Sequence, residues 1–310
     1  MPDDGRNRLA PECGRFFILK ILVTGANGFT GRHFVRSARA AGHDVVPSTA
    51  NLLDKAALGD EVRRLAPEAV VHLAAISFVG FADAGAFYQS NVIGTLNLLE
   101  ALAGLNQPPR SVLLSSSANV YGNCLSSPIK ETEPAAPLNH YAMSKLAMEF
   151  MSRTYMDRLP LFFTRPFNYT GPGQSLSFII PKLVTHFSQR KARVELGNVD
   201  VEREFNDVRF VCEAYLRLIG CVPSGDVVNI CSGQPITLRA VIELLTRLTG
   251  HEIEVHVNPD FVRANEIHRL CGDSTKLIGM TGHIAMPSLS DTLSWMLSEA
   301  TMKERGGLGI

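Results

Sequence analysis

Tyr141 and Lys145 stand four residues apart in Asn139-His-Tyr-Ala-Met-Ser-Lys145. On a helix, positions i and i+4 share one face. A lysine charge beside a phenol favours phenolate and is expected to lower the tyrosine pKa. That makes a proton donor and acceptor usable near neutral pH. Upstream lies a glycine-rich turn, Thr24-Gly-Ala-Asn-Gly-Phe-Thr-Gly31, with Gly25, Gly28 and Gly31 spaced as GxxGxxG. Such a turn brings a dinucleotide's pyrophosphate against a helix N-terminus and sets a nicotinamide near the tyrosine. Between the two lies Ser115-Ser-Ser117. Taken singly, each signal has a plain reading: an ordinary strand–helix turn, a polar strand end, two surface neighbours. The three together, in this order, are far more specific.

These residues need elements to position them. Phe16–Val23 is an apolar run that reads as a buried parallel strand ending at Thr24-Gly25. A helix is predicted from about Gly28 to Ala41, ending at Gly42. Further strands are predicted at His43–Val46, Ala69–Ala75, Ser111–Ser115 and Leu161–Arg165, with helices at Glu61–Leu65, Ala86–Leu105 and Tyr141–Arg158. This βαβα alternation predicts an α/β fold: a doubly wound, Rossmann-type parallel sheet with helices on both faces. Sites in such sheets lie beyond the carboxyl ends of the strands, where Ser115–Ser117 and Arg165-Pro-Phe-Asn168 both fall. After Pro166 the alternation weakens. A helix is expected at Ile180–Arg190, a buried strand at Val227–Ile230, a helix at Ile236–Thr249 and an edge strand at Glu252–Val257. The expected division is a tail over 1–15, a dinucleotide domain over 16–167 that also receives about 205–231, and a smaller C-terminal substrate lobe drawn mainly from 168–204 and 232–310.

Composition removes several classes of function. The chain has 310 residues, 30 basic against 30 acidic side chains, and an ordinary 45% hydrophobic content. With no net field, neither nucleic acid nor an anionic membrane is an expected partner. An anionic small ligand would need local positive groups instead. The six cysteines (Cys13, Cys124, Cys212, Cys221, Cys231, Cys271) form no CxxC pair, so we expect reduced thiols, no metal site and a cytoplasmic protein. No apolar run reaches membrane-spanning length, and the first 15 residues lack a signal-peptide core.

The chain resembles the extended short-chain dehydrogenases/reductases of the nucleotide-sugar branch. The resemblance rests on Thr24–Gly31, His72-Leu-Ala-Ala75, Asn91-Val-Ile-Gly-Thr-Leu-Asn97, Ser115-Ser-Ser-Ala-Asn-Val-Tyr-Gly122, Tyr141-x-x-Ser-Lys145 and Arg165-Pro-Phe-Asn168. It implies that Tyr141 is the proton donor or acceptor, that Lys145 holds the nicotinamide ribose, and that Ser117 hydrogen-bonds the substrate oxygen. It further implies a cofactor site built from Gly25, Asn27, Gly28, Phe29, Thr30, Gly31, Asp54, Leu73, Ala74, Ala75, Asn91, Ser115 and Phe167. For the substrate it implies Asn168, Phe178, Lys182, Leu196, Asn198, Arg203, Arg263 and Glu266, with Arg203 and Arg263 on phosphate and Glu266 on ribose. Plain surface salt bridges with Glu202 and Glu204 are the alternative reading for Arg203, and a mutual Arg263–Glu266 pair the alternative for those two. Similar enzymes pair two helices per subunit into a four-helix homodimer core, here the helices starting near Ala86 and Tyr141.

The reaction is narrowed by what is missing. Dehydratases of the family resemble Thr-Asp-Glu or Thr-Ser-Glu where this chain has Ser117-Ala118-Asn119, so the acid/base that dehydration needs is absent unless Glu131 or Glu133 replaces it. The pattern is most similar to members that reduce the C4 ketone of GDP-4-dehydro-6-deoxy-D-mannose to GDP-D-rhamnose. A nucleotide-sugar 4-epimerase is the main alternative, followed by a dehydratase and by a dinucleotide-binding protein without turnover. Cofactor choice is weakly encoded. The second strand ends Val45-Val-Pro-Ser-Thr49 with no acid for the adenine ribose. Asn51-Leu-Leu-Asp54 resembles the adenine-binding segment, and Arg32 or Arg36 can reach a 2′-phosphate. NADP(H) is the expected cofactor, with NAD(H) tolerated.

Overall fold

A computed structural model describes residues 18–78, 83–221, 223–261 and 267–306. Arg263 and Glu266 lie outside the described residues. Five strands, β1 (Lys20–Thr24), β2 (Asp44–Pro47), β3 (Ala69–His72), β4 (Ser111–Ser115) and β5 (Leu161–Pro166), join the strand Val227–Ile230 in one sheet. Its spatial order is Val227–Ile230, β5, β4, β3, β1, β2, and every pair is parallel. The chain leaves β1 towards β2, then crosses back past β1 to β3. The crevice between the ends of β1 and β3 is therefore the topological switch point, where a ligand site is expected.

The helices are α1 (Phe29–Ala40), α2 (Lys55–Leu65), α3 (Ala84–Tyr88), α4 (Gly94–Ala103), α5 (His140–Arg153), α6 (Ile179–Ser188), α7 (Val208–Leu218), α8 (Leu238–Thr249), α9 (Thr275–Thr281) and α10 (Leu289–Gly306). A π-helical turn, Gln89–Ile93, fuses α3 to α4. The strands are continuous apolar runs because both sheet faces are covered. Ile21, Val23, Val71 and Leu113 face a core shared with α1, α7 and α9. Leu22, Val70, Val112 and Leu114 face the opposite core, shared with α2, α4 and α5.

The smaller lobe packs α6, α8 and α10 around Leu183, Phe187, Leu196, Val241, Leu245 and Leu293. Strand Glu254–Val257 pairs parallel with Arg193–Leu196 there. The polypeptide returns to the main sheet through α7 and Val227–Ile230, within the stretch that the sequence assigns to the dinucleotide domain. Helix α9, within the stretch expected to form mainly the lobe, packs through Leu277 onto the α1–α7 face of the sheet. Its short length and single buried leucine give little periodic signal, so only tertiary contact assigns it. Asp207 ties the two parts together: it caps α7 at Arg209 N (2.7 Å) and accepts from Thr292 Oγ1 of α10 (2.7 Å).

Among the described residues no helix is long and apolar enough to cross a membrane, and no His/Cys/Asp/Glu cluster could hold a metal. Cys124, Cys212, Cys231 and Cys271 are free, but Cys221 is disulfide-bonded, which corrects the expectation of six reduced thiols. Cys221 follows α7 in a partly exposed turn.

Candidate active site

The glycine turn is built for close approach. Gly25 adopts φ +69, and a Cβ there would meet Ala74 N at 2.6 Å. A Cβ on Gly31 would sit 2.1 Å from the Gly25 carbonyl oxygen. Gly28 is the N-cap of α1 and offers no capping side chain, and the first turn carries no acid. The N-terminal N–H groups of α1 are thus left for an anion, with the helix dipole favouring negative charge. Leu73 N donates to Thr24 O (3.2 Å) and Ala74 N to Thr24 Oγ1 (3.3 Å), which sets the partly exposed Leu73–Ala75 segment beside the turn. This cradle fits a dinucleotide pyrophosphate.

Helix α5 carries the proton chemistry. Asn139 caps it, accepting from Ala142 N at 2.9 Å. Tyr141, Lys145 and Ser117 are all buried, at 8%, 5% and 6% exposure, and meet at the carboxyl end of β4. Lys145 Nζ donates to the Ser115 carbonyl at 2.7 Å. Burial pushes the Lys145 pKa down to about 8, with Glu149 one turn along acting in the opposite sense. Burial also raises the Tyr141 pKa, and a hydrogen bond with Ser117 works against it. The expected lowering by Lys145 is therefore corrected. The ammonium is directed at the Ser115 carbonyl, and desolvation of the phenol dominates. Tyr141 is consequently a protonated donor at neutral pH, linked to Ser117, a serine that also accepts from Asn119 N (3.2 Å).

Behind this pair lie groups that sequence reasoning missed. Glu149 receives a two-pronged bond from Arg165, Nε to Oε1 at 2.9 Å and Nη2 to Oε2 at 2.7 Å, both side chains buried. Arg165 also lies 4.8 Å over the Tyr121 ring. The signal was present: Glu149 is four residues past Lys145 on the same face. Tyr215 of α7 is fully buried with its phenol 3.1 Å from Ser115 Oγ. It lies a hundred residues downstream, and nothing local marks it.

The remaining expected residues divide. Asn91 is 1% exposed; its carboxamide accepts from Ile76 N (2.9 Å) and donates to Ile76 O (3.1 Å) and Ser144 Oγ (3.0 Å). It therefore stands behind the loop rather than in it. Thr30 Oγ1 bonds Tyr169 Oη at 2.7 Å, and Phe29 stacks on the same Tyr169 ring. Asn27 contributes its carbonyl to Arg32 (2.8 Å). Asp54 caps α2 at Ala57 N (3.0 Å). Phe167 is buried against Tyr121.

In the lobe, Asn168 is exposed and Phe178 packs edge-to-face on Phe78 across the cleft. Lys182 Nζ donates to Glu195 O (2.8 Å) and covers the Phe261 ring. The Leu196 side chain is turned into the lobe core, leaving only its backbone for a ligand. Asn198 Oδ1 accepts from Asp200 N (2.9 Å). Arg203 donates to the carbonyls of Glu202 (2.8 Å), His268 (3.2 Å) and Ile267. The salt-bridge reading for Arg203 does not describe its hydrogen bonds: Glu202 pairs with Arg269, and Glu204 accepts from Asn206, Ser232 and Gly272. Both candidate replacement acids are engaged elsewhere. Glu131 accepts from Asn229 N (2.9 Å), and Glu133 lies 3.8 Å from Cys124 Sγ.

At the end of β2, a cavity of about 490 Å³ is lined by Ala26, Asn27, Pro47 and the α1 arginines Arg32, Arg36 and Arg39. Arg32 and Arg39 donate to backbone carbonyls, while exposed Arg36 takes no partner among the described residues. An acid does approach the end of β2, but from α2. Glu61 accepts from Ser48 Oγ (2.6 Å), Thr49 N (2.9 Å) and Thr49 Oγ1 (2.8 Å). Burial opposes its charge, and these hydrogen bonds outweigh burial to hold its pKa below the ordinary value. Its charge serves the loop rather than the cavity.

The chain is similar to GDP-6-deoxy-D-mannose reductase of Pseudomonas aeruginosa, 36% identical over 296 residues that cover 90% of this chain and 96% of that protein. It is 34% identical over 270 residues to GDP-6-deoxy-D-talose 4-dehydrogenase of Aggregatibacter actinomycetemcomitans, covering 86% of this chain and 92% of that one. The solved structure of RMD from Pseudomonas aeruginosa complexed with NADPH superposes with a TM-score of 0.84 at 34% identity, over 92% of this chain and 98% of that one. The NAD dependent epimerase/dehydratase family matches residues 21–231, most of the chain and all of the central sheet but its first residue, Lys20. A glycine cradle at the switch point, a buried Ser–Tyr–Lys cluster beyond β4 and this match together place the chain in the NAD dependent epimerase/dehydratase family.

Proposed function

We propose that the chain reduces the C4 ketone of a GDP-4-dehydro-6-deoxy-hexose, converting GDP-4-dehydro-6-deoxy-D-mannose to GDP-D-rhamnose. The observation that carries this reading is a proton donor without a second acid. Tyr141 is a phenol whose protonated form burial favours further, and it is linked to Ser117; Ser117-Ala118-Asn119 holds no carboxylate, Glu131 accepts from Asn229 N, and Glu133 lies beside Cys124. Ketone reduction needs one proton donor and one oxygen-holding group, whereas dehydration needs an additional acid/base. The relatives named for GDP-6-deoxy-mannose and GDP-6-deoxy-talose support the sugar class.

A reduced nicotinamide dinucleotide held by the glycine cradle would supply the hydride that C4 receives. Tyr141 gives its proton to the C4 oxygen as negative charge develops there, and Ser117 holds that oxygen. Lys145, anchored on the Ser115 carbonyl, keeps a positive charge beside the reacting groups. Gly25, Gly28 and Gly31 admit the pyrophosphate. The α1 arginines, Arg36 foremost, favour NADPH over NADH because, among the described residues, no carboxylate lines their cavity. Asn168, Phe178, Lys182, Asn198, Arg203 and the Leu196 backbone flank the GDP moiety, with Arg263 and Glu266 completing its phosphate and ribose contacts. Two copies associate through α3–α4 and α5, whose outer faces expose Ile93 (39%), Met143 (43%) and Phe150 (65%).

The test is to incubate the protein with GDP-4-dehydro-6-deoxy-D-mannose and NADPH, following NADPH absorbance and the product by NMR. Stoichiometric oxidation with GDP-D-rhamnose formed is the expected result. Oxidation yielding the C4 epimer would reassign the product to the talose series. No oxidation of NADPH or NADH, with isomer interconversion of GDP- or UDP-hexoses instead, would replace the reductase by an epimerase.

A further inference from the structure

His72 ends β3 and is 2% exposed. It makes two hydrogen bonds, Nδ1 to Thr24 Oγ1 at 2.7 Å and Nε2 to Thr95 Oγ1 at 2.8 Å. The hydrogen bonds around it favour one tautomer. Thr95 donates its only hydroxyl proton to the Asn91 carbonyl at 2.7 Å, four residues back on the same helix. Thr95 Oγ1 can then only accept from His72, so Nε2 carries the proton. Nδ1 is left as the acceptor for the Thr24 hydroxyl, which itself accepts from Ala74 N at 3.3 Å. Burial, with the Lys145 charge adding to it, pushes the His72 pKa down to about 3. The ring stays neutral at working pH.

The chain of bonds continues. Asn91 sits in the π-helical turn, a form that recurs at functional sites. Its Nδ2 donates to Ser144 Oγ at 3.0 Å, and Ser144 Oγ donates to the Tyr141 carbonyl at 2.8 Å. The amide orientation is also forced, because Oδ1 faces the Ile76 N–H and Nδ2 faces the Ile76 carbonyl. An unbroken path thus runs from Thr24, the residue before Gly25, to the backbone of Tyr141.

We propose that His72 and Thr95 are positioning residues, a buried relay that registers the cofactor's glycine turn against the catalytic helix through the π-helical turn. Neither touches a reacting atom. The buried polar groups of the relay are paired with one another, so moving one end of the site against the other leaves such a group unpaired. The relay rests on the reductase reading only for the substrate used in its assay.

Two measurements test it. In the wild-type protein, ¹⁵N-resolved NMR of the histidines should show His72 with Nε2 protonated and Nδ1 unprotonated, unchanged between roughly pH 5 and 9, where an ordinary histidine titrates. A titrating His72, or the opposite tautomer, overturns the relay. The second test uses Thr95→Val, which keeps the shape and removes the hydroxyl, beside Thr95→Ser, which keeps the hydroxyl. Assayed well below their melting temperatures with NADPH and GDP-4-dehydro-6-deoxy-D-mannose, Thr95→Val should lose on the order of 10-fold in kcat with little change in the KM for NADPH. Thr95→Ser should recover most of it. Full kcat in a folded Thr95→Val, or equal impairment in both variants, overturns the relay. If the wild type turns over no such sugar, the reductase reading fails and the NMR result alone decides the relay.

Discussion

Lys145 and Tyr215 grip the same residue from opposite faces of the sheet. The Lys145 ammonium on α5 donates to the Ser115 carbonyl at 2.7 Å, and the Tyr215 phenol on α7 lies 3.1 Å from the Ser115 hydroxyl. β4 therefore leaves the sheet at a point held on both sides, and Ser117 follows two residues later. A positioned donor is worth more than a mobile one, because geometry fixed before reaction is not lost at the barrier.

Removing the phenolic proton should stop the chemistry while sparing binding. Tyr141→Phe is expected to lower kcat by about 10²- to 10⁴-fold, the usual range for a general acid. NADPH affinity, read by fluorescence titration, should change little. A variant retaining more than a tenth of the wild-type rate would remove Tyr141 from the mechanism.

The pH profile follows from Lys145. The pKa of Tyr141 is raised, so the donor remains protonated through the neutral and mildly alkaline range. Lys145, depressed to about 8, loses its charge first. The rate should thus fall as pH rises through about 8. Lys145→Arg, charged throughout, should move that fall to higher pH. The sign for stability is opposite. A buried lysine with a lowered pKa destabilises the fold while charged, so unfolding free energy should rise between about 8 and the ordinary 10.5. Urea melts across that window, compared with Lys145→Met, read this contribution.

Arg36 offers a direct test of cofactor choice. Arg36→Ala should reduce kcat/KM for NADPH by ~10- to 100-fold, the worth of one hydrogen-bonded charge on a phosphate. The value for NADH should stay within about twofold, since one uncontacted charge contributes little there. Equal losses with both cofactors would place the 2′-phosphate elsewhere.

The Glu149–Arg165 pair should matter to stability through its loss of balance. Arg165→Leu leaves the Glu149 carboxylate buried without its partner and should cost about 3–5 kcal/mol. Replacing both residues with apolar side chains should cost much less. Denaturant titrations of the single and double variants separate the two cases.

Phe150→Glu places a charge on the exposed stripe of α5. If α5 forms the contact between copies, the variant should sediment as a monomer while the wild type sediments as a dimer. A monomeric wild type would leave the stripe simply solvent-facing.

Much of this was legible in the chain itself. Periodicity and apolar runs gave the parallel strands, because strands covered on both faces must be apolar throughout, as Ile21–Val23 and Val112–Leu114 are. The glycine spacing marked the cradle, because steric demands at Gly25 and Gly31 act on residues next to each other in sequence. The Tyr141–Lys145 spacing placed both side chains at one site. What the tertiary structure alone decided concerns charge and partnership. Local spacing suggested that Lys145 would lower the Tyr141 pKa, but the balance is set by burial, which depends on the whole fold. Asn91 and Thr30 bear the residue types of ligand contacts, yet their partners, Ile76, Ser144 and Tyr169, arrive from distant segments. Glu61 supplies from α2 the acid that the end of β2 lacks in sequence, and binds it to the loop. Hydrogen bonds between residues tens of positions apart leave no periodic trace in the chain. Sequence therefore fixed which groups are available, and folding decided which of them remain unpaired for a ligand.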